Sequence, residues 1–285
     1  MPIVIDHVSY TYQPDTPFAS PALHDVSLTI GSGQFVGLIG HTGSGKSTLI
    51  QHCNGLLFPS AGQVTVDDMP VLPKSKELKE IRRKVGLVFQ YPEHQLFEES
   101  VALDVAFGPK SLGLATDEVD RRVRWAMQMV DLDFEKFKDE SPFGLSGGEK
   151  RRAAIAGVLA MQPKYLILDE PFAGLDPSGR EEITEQLQRL NEKGLAILLV
   201  SHSMDEIARL AKRLLVIHDG ALVYDDTVKQ VFSKARELAE MGLDVPEVMK
   251  LMMLLKEKGM EVRQDVLTIE EGQEEIWKAR FAAHA

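Results

Sequence analysis

The strongest constraint on this chain is an apolar run that ends abruptly in glycines. Phe35, Val36, Gly37, Leu38 and Ile39 are almost continuously apolar, and Gly40-His41-Thr42-Gly43-Ser44-Gly45-Lys46-Ser47-Thr48 follows at once. A short strand with no polar alternation is one covered on both faces. The nine residues after it fit the pattern G-x-x-x-x-G-K-[ST], between a strand and the start of a helix. Glycines there let successive N–H groups turn inward on phosphate oxygens, and the helix N-terminus adds partial positive charge. In such a cradle Lys46 faces the β- and γ-phosphates, Ser47 offers a hydroxyl to Mg²⁺, and Thr48 reaches the α-phosphate.

Further apolar runs at 166–168, 196–200 and 214–217 are separated by polar helical stretches. That pattern predicts a mainly parallel sheet with helices on both faces. Segments 64–66 and 85–89 add strands, while 3–12 and 26–30 alternate as antiparallel strands with one wet face. Strand signals vanish from 98 to 161, where 117–131 and 149–161 read as helices. Beyond residue 223 the pattern turns helical again, over 227–240, 247–258 and 269–281. The expected organisation is an α/β P-loop core over 1–228 with an antiparallel β subdomain and a helical insertion at about 94–162. A small C-terminal helical extension over 229–285 completes it.

A net charge of −11 argues against a non-specific nucleic-acid binder and against docking on anionic lipid by charge alone. The single cysteine, Cys53, excludes an intrachain disulfide and reads as a small buried apolar side chain. The N-terminus reads without a signal peptide. No apolar run approaches the roughly 20 residues needed to span a bilayer, so a membrane role must pass through partners.

Tyr165-Leu166-Ile167-Leu168-Asp169-Glu170 is a buried strand ending in two acids. Acids at the carboxyl end of a parallel strand face the ligand crevice. Asp169 is placed to hold Mg²⁺, and Glu170 to orient and polarise an attacking water. His202 follows the strand at 196–200, where a contact to a γ-phosphate is wanted, and also reads as a structural histidine. Gln90 ends the strand at 85–89, and its amide suits Mg²⁺ or a water bound to it.

Leu145-Ser146-Gly147-Gly148-Glu149 precedes the basic stretch Lys150-Arg151-Arg152. This run resembles the signature of ABC-transporter ATPases. The P-loop, Gln90, the signature, Asp169-Glu170, Gly174-Leu175-Asp176 and His202 occur in that family's order, over residues 1 to about 225. As residues, Ser146 to Gly148 begin a helix whose N–H groups and hydroxyl point outward as an anion site. The resemblance implies that this site closes on the γ-phosphate held by a second subunit, so ATP joins two chains. It also implies that Asp176 crosses the interface and that an aromatic near the N-terminus stacks on adenine. Tyr12 is favoured for that place over Tyr10, and a plain core role stays open for either.

The segment after Gln90, with Glu93, His94, Gln95, Leu96 and Phe97, resembles that of energy-coupling factor ATPases, as does Phe107-Gly108-Pro109. The resemblance implies a short helix at 93–97 facing a transmembrane coupling protein. It points to the second of two paralogous ATPases, working at the cytoplasmic face of the membrane in vitamin or micronutrient uptake. An integral substrate-binding protein completes the implied assembly, with ATP and Mg²⁺ as cofactors. Residues 241–251 are similar to that family's C-terminal dimerisation extension. Val248, Met252 and Leu255 fall at helical spacing there, for a partner or for the chain's own packing. The alternatives are another ABC importer, cobalt/nickel type or binding-protein dependent, and a non-transport ABC ATPase.

Overall fold

The computed structural model describes residues 1–282. The chain opens with strands β1 (Ile3–Tyr12) and β2 (Ser20–Ile30), followed by β3 (Phe35–Ile39) and helix α1 (Lys46–Cys53). β4 (Ala61–Val66) and β5 (Met69–Pro70) join the first two in an antiparallel sheet of order β2-β1-β4-β5. In β2 the alternation holds, with Val26, Leu28 and Ile30 buried between outward Ser27 and Thr29.

Helix α2 (Leu78–Lys84) leads into β6 (Val85–Val88). The helical stretch follows: α3 (Val101–Ser111), α4 (Thr116–Met129), α5 (Phe134–Phe137) and α6 (Gly147–Leu159). No strand interrupts it among the described residues. The two helices expected there appear as α4 and α6. Helix α3 was not expected, because Gly108 and Pro109 in its last turns weaken the helical pattern. Ser100 caps it by accepting from the Leu103 N–H.

Then come β7 (Tyr165–Asp169), α7 (Pro177–Glu192), β8 (Ala196–Val200), α8 (Met204–Leu210), β9 (Arg213–His218) and β10 (Ala221–Thr227). The second sheet has order β10-β9-β3-β8-β7-β6 and is parallel except for β10 at its edge. Its strands β3, β7 and β8 are buried along their whole length. Alternate residues feed two cores. Val36, Leu38, Ile167, Leu198 and Val200 pack with α1 and the antiparallel sheet. Phe35, Ile39, Leu166, Leu168, Ile197 and Leu199 pack with the helical insertion, α7 and α8. Full burial of each such side chain contributes roughly 1.5–3 kcal/mol, so the central sheet is the rigid base of the molecule.

The tail consists of α9 (Val228–Phe232), α10 (Ala235–Glu240), α11 (Glu247–Glu257) and α12 (Ile269–Ala282). The helix expected over 227–240 is broken after Phe232, where the Ser233 hydroxyl donates to the Gln230 carbonyl and competes with the helical ladder. Val231, Phe232, Leu238, Val245 and Met249 still belong to the insertion-side core. Val248 and Met252 instead form a separate small core with Val262 and Val266, against which Leu255 and Ile276 pack. The stripe foreseen on α11 is therefore satisfied inside the tail. No helix among the described residues is long and apolar enough to cross a membrane.

Candidate nucleotide-binding site

The loop after β3 has little freedom. A Cβ on Gly40 would lie 2.3 Å from the Ile217 carbonyl oxygen and 2.5 Å from Ser44 Oγ. Gly45 sits at φ +105, and a Cβ there would meet the Ala22 carbonyl oxygen at 2.5 Å. Only glycine fits either place. The Ser44 N–H donates to the His41 carbonyl at 3.1 Å, curling the loop upon itself. Lys46 Nζ donates to the carbonyls of Gly40 at 2.6 Å and His41 at 2.9 Å. Burial lowers the Lys46 pKa, while the Glu170 and Asp169 carboxylates oppose that shift. The first N–H groups of α1 have no acceptor within the helix, and Ser44 Oγ is buried without a partner.

The acids arrive from β7. Asp169 Oδ2 accepts from Ser47 Oγ at 3.1 Å, joining the carboxyl end of β7 to the first turn of α1. Glu170 adopts a left-handed φ of 52 and its N–H donates to the Val200 carbonyl at 2.9 Å, fixing where its side chain starts. One carboxylate oxygen accepts the His202 N–H at 3.3 Å. The other, Oε1, lies 3.3 Å from His202 Nε2 and is buried without a hydrogen bond. Burial, reinforced by Asp169, pushes the Glu170 carboxyl up to about 7 against the opposing His202 N–H and Lys46. Burial and the nearby Lys46 charge lower the His202 pKa. Lys46, Ser47, Asp169, Glu170 and His202 thus form one connected cluster.

The Tyr12 ring is 38% exposed beside that cluster, and its hydroxyl is 3.0 Å from Thr48 Oγ1. Tyr10 turns inward instead, edge-on to both Tyr12 and His52 at 4.9 Å. The two tyrosines lie on one side, as alternation suggests, with Tyr12 against Thr48 and Tyr10 against His52 one turn further along α1. Gln90 is exposed at the end of β6.

Residues 145–149 lie at the start of α6. Gly147 and Gly148 would admit a Cβ with nothing within 4 Å, so this helix end is open. Ser146 does not present a free hydroxyl, as the sequence suggested. It donates to Glu149 Oε2 at 2.7 Å, its N–H donates to the same oxygen at 2.9 Å, and the Glu149 N–H returns a bond to Ser146 Oγ at 3.3 Å. Glu149 thereby closes a capping box over the groups expected to receive an anion. Leu145 is half-buried against the insertion-side core. Asp176 is exposed and caps α7, one oxygen accepting the Gly179 N–H at 2.8 Å.

Residues 23–173 match the family model described as ABC transporter. The energy-coupling factor transporter ATP-binding protein EcfA2 of Clostridium tetani is 52% identical over 98% of this chain and 97% of its own. Its namesake in Clostridioides difficile is 54% identical over 98% and 97%. The chain belongs to the ABC transporter family, among its energy-coupling factor ATP-binding proteins. In structure it is similar to cbiO1 of Clostridium perfringens, part of the transporter complex cbiONQ. The TM-score is 0.74 at 35% identity, covering 88% of this chain and 98% of that one. A dimeric ATP-binding cassette in a post-hydrolysis state bound to ADP and Pi gives a TM-score of 0.71 at 30% identity, over 79% and 98%. As an ABC ATPase, the cassette binds ATP.

Within the cassette, the residue that sequence reasoning missed is Arg151. It is 2% exposed and donates to the carbonyls of Pro171 at 2.8 Å and Ala173 at 2.7 Å. Its Nη2 donates to both Glu93 oxygens, at 3.1 and 3.2 Å, and its Nε is buried without a partner. Arg151 was visible only as part of a basic run, and which of three neighbouring cations turns inward is decided by tertiary packing. The same contact corrects the reading of 93–97 as one outward face. Glu93 is held inward by Arg151 and Leu96 is buried in the core, leaving His94, Gln95 and Phe97 exposed. The expected helix is a single 3₁₀ turn, Pro92–Gln95, fastened where Asp104 accepts the N–H groups of Phe97 and Glu98 at 3.2 and 3.1 Å.

Proposed function

We propose that the chain is the ATP-hydrolysing subunit of an energy-coupling factor transporter, driving micronutrient uptake through membrane partners. The observation that carries this reading is the cluster joining Lys46 and Ser47 of the phosphate loop to Asp169, Glu170 and His202. Residues Gly40 to Thr48 bind the triphosphate with their backbone N–H groups, and Tyr12 stacks on the adenine. Ser47 and Asp169 supply hard oxygen donors already 3.1 Å apart, the donor chemistry that Mg²⁺ selects. Gln90, just past β6, would offer its amide oxygen to the same ion, which would supply positive charge to the phosphate groups.

Within that frame the chain's own residues position and polarise. Lys46 holds a point charge beside the transferring phosphoryl group. The unpartnered Glu170 oxygen accepts a proton from the attacking water, and His202 orients both the carboxylate and the γ-phosphate. The signature residues Leu145 to Glu149 and Asp176 act on the ATP of a second ATPase subunit, a paralogue. The tail, from 229 onward, strengthens that dimer. Exposed His94, Gln95 and Phe97, with Leu103 and Phe107 beside them, form the seat for a transmembrane coupling protein. An integral substrate-binding protein sets the solute, and the complex works at the cytoplasmic face.

The test is nucleotide binding and turnover by the purified transporter complex carrying Glu170→Gln or Lys46→Ala. Glu170→Gln retains ATP binding and loses roughly 10²–10⁴-fold in turnover. Lys46→Ala loses ATP affinity. Turnover at the wild-type rate in the first variant, or unchanged affinity in the second, would overturn the assignment.

A further inference from the structure

Beside the first residues of the phosphate loop stands a group of side chains to which the proposed hydrolysis assigns no role: those of His41, His218 and Asp219. They offer one donor atom each, all within 4.8 Å of one another. Their placement is rigid. His41 follows β3 directly, and His218 ends the neighbouring parallel strand β9, in the register that pairs Ile39 with Val216. Asp219 and Gly220 form a two-residue hairpin turn with both φ values positive, 47 and 79, the most closely defined of hairpin connections. That turn is anchored on both sides, since the Gly220 N–H donates to the Ser44 carbonyl at 2.9 Å and its carbonyl accepts from the His24 N–H at 2.8 Å.

The hydrogen bonding leaves a gap in charge. His41 Nδ1 lies 2.9 Å from the Thr42 carbonyl, which can only accept, so Nδ1 carries a proton. In the neutral ring Nε2 then carries a lone pair, yet it faces Asp219 Oδ1 at 3.1 Å. Two acceptors at that distance require a cation between or beside them. A second proton on His41 would serve that pair but would leave His218 without a role. The His218 ring crosses that of His41 at 73° with centroids 5.0 Å apart, and its Nε2 is 3.6 Å from the other Asp219 oxygen. Its Nδ1 is buried without a hydrogen-bond partner. Both rings are about one-third exposed, which leaves a path from solvent.

We infer that His41, His218 and Asp219 form a binding site for a divalent transition metal of the zinc or nickel class. Two imidazoles and one carboxylate are the donor set such ions prefer, and Mg²⁺ does not. The His41 Nδ1–H bond to a backbone carbonyl is the outer contact that typically fixes a ligating ring, leaving Nε2 for the metal. Bond lengths of about 2.0–2.1 Å put tetrahedral donors about 3.3 Å apart, so donors now up to 4.8 Å apart must close up by roughly 1.5 Å, within the reach of partly exposed rings. Occupancy ties the phosphate loop to the β9–β10 turn. The His41 carbonyl that holds Lys46 then becomes part of a metal-braced segment. The site stands independently of the hydrolytic reading, because His218 and Asp219 take no part in it.

The experiment is titration of the full-length, tag-free, chelator-stripped chain with Co²⁺ alone, read by its visible ligand-field bands and followed by displacement with Zn²⁺. One Co²⁺ per chain is expected. Affinity should fall at least about tenfold in His218→Ala and in Asp219→Asn, with nucleotide binding retained. X-ray absorption of the wild-type Zn²⁺ complex, which needs no variant to fold, should count two imidazole ligands. Binding undiminished in both variants, a featureless titration, or fewer than two imidazoles would overturn the site and leave His41 and Asp219 as a charged pair.

Discussion

A single carboxylate, Asp67, shows how much one residue can carry away from the chemistry. It is 6% exposed and receives Lys84 Nζ at 2.8 Å, Lys164 Nζ at 2.6 Å and the Tyr165 hydroxyl at 3.2 Å. The Tyr165 hydroxyl also contacts the Met1 carbonyl, so the knot ties the N-terminus to β7. Burial raises the carboxyl's pKa, and the hydrogen bonds and charges of Lys164 and Lys84 overcome burial, leaving it at about 2. A depressed folded-state value stabilises the fold above the unfolded pKa, and the gain is lost as pH falls toward about 2. The shift corresponds to about 2 kcal/mol. Asp67→Asn should therefore lower stability by about that amount at neutral pH in urea denaturation. The gap to wild type should narrow as pH is taken below about 4. Equal midpoints for the two proteins at pH 7 would refute it. Nothing in the sequence announced this residue, because its partners lie 17 to 98 positions away.

At the scale of elements, what was legible followed from local pattern. The strand-loop-helix around Gly40 to Thr48 was readable because glycine spacing and an apolar run are local signals. So were β7 ending in Asp169 and Glu170, and helices α4 and α6. What escaped was decided by contacts between elements: α3 with its late proline, the inward turn of Glu93, and the place of Arg151. That arginine joins α6 to the 3₁₀ turn at Pro92–Gln95 and to the segment just past Glu170. Removing it leaves Glu93 uncompensated in a mostly buried position, so Arg151→Ala should cost roughly 3–5 kcal/mol, measured by thermal or chemical unfolding. Arg151→Lys keeps the charge but loses the fork that serves two carbonyls and a carboxylate together. Because Arg151 holds the turn that carries the proposed seat for the coupling protein, Arg151→Lys should lower transport more than ATP turnover in the transporter complex, and a proportional fall in both would show that this contact does not serve coupling.

For the molecule as a whole, the arrangement is two large cores on either face of one sheet, plus a minor core in the tail. Because Val248 and Met252 are used in that minor core, the pairing proposed for the tail would rely on other residues. Leu251 and Leu254, 45% and 48% exposed on α11, stand on the surface together with Ile269 and Trp277 of α12. Replacing Leu254 by Glu should weaken association with the second ATPase subunit at least about tenfold in sedimentation velocity while leaving ATP affinity alone. Association equal to wild type would place the tail outside the dimer contact.

The capping box at Ser146 and Glu149 bears on how tightly such a pair can hold. In a solitary chain Glu149 holds the Ser146 hydroxyl and N–H, while the Gly147 and Gly148 N–H groups at the same helix end have no acceptor within the helix. On the proposed reading, docking onto a neighbour's nucleotide would trade one acceptor for another at Ser146. The net gain from each trade is small, about the 0.5–1.5 kcal/mol of an ordinary hydrogen bond. An exchange so nearly balanced would let Ser146 leave the neighbour as readily as it engages it.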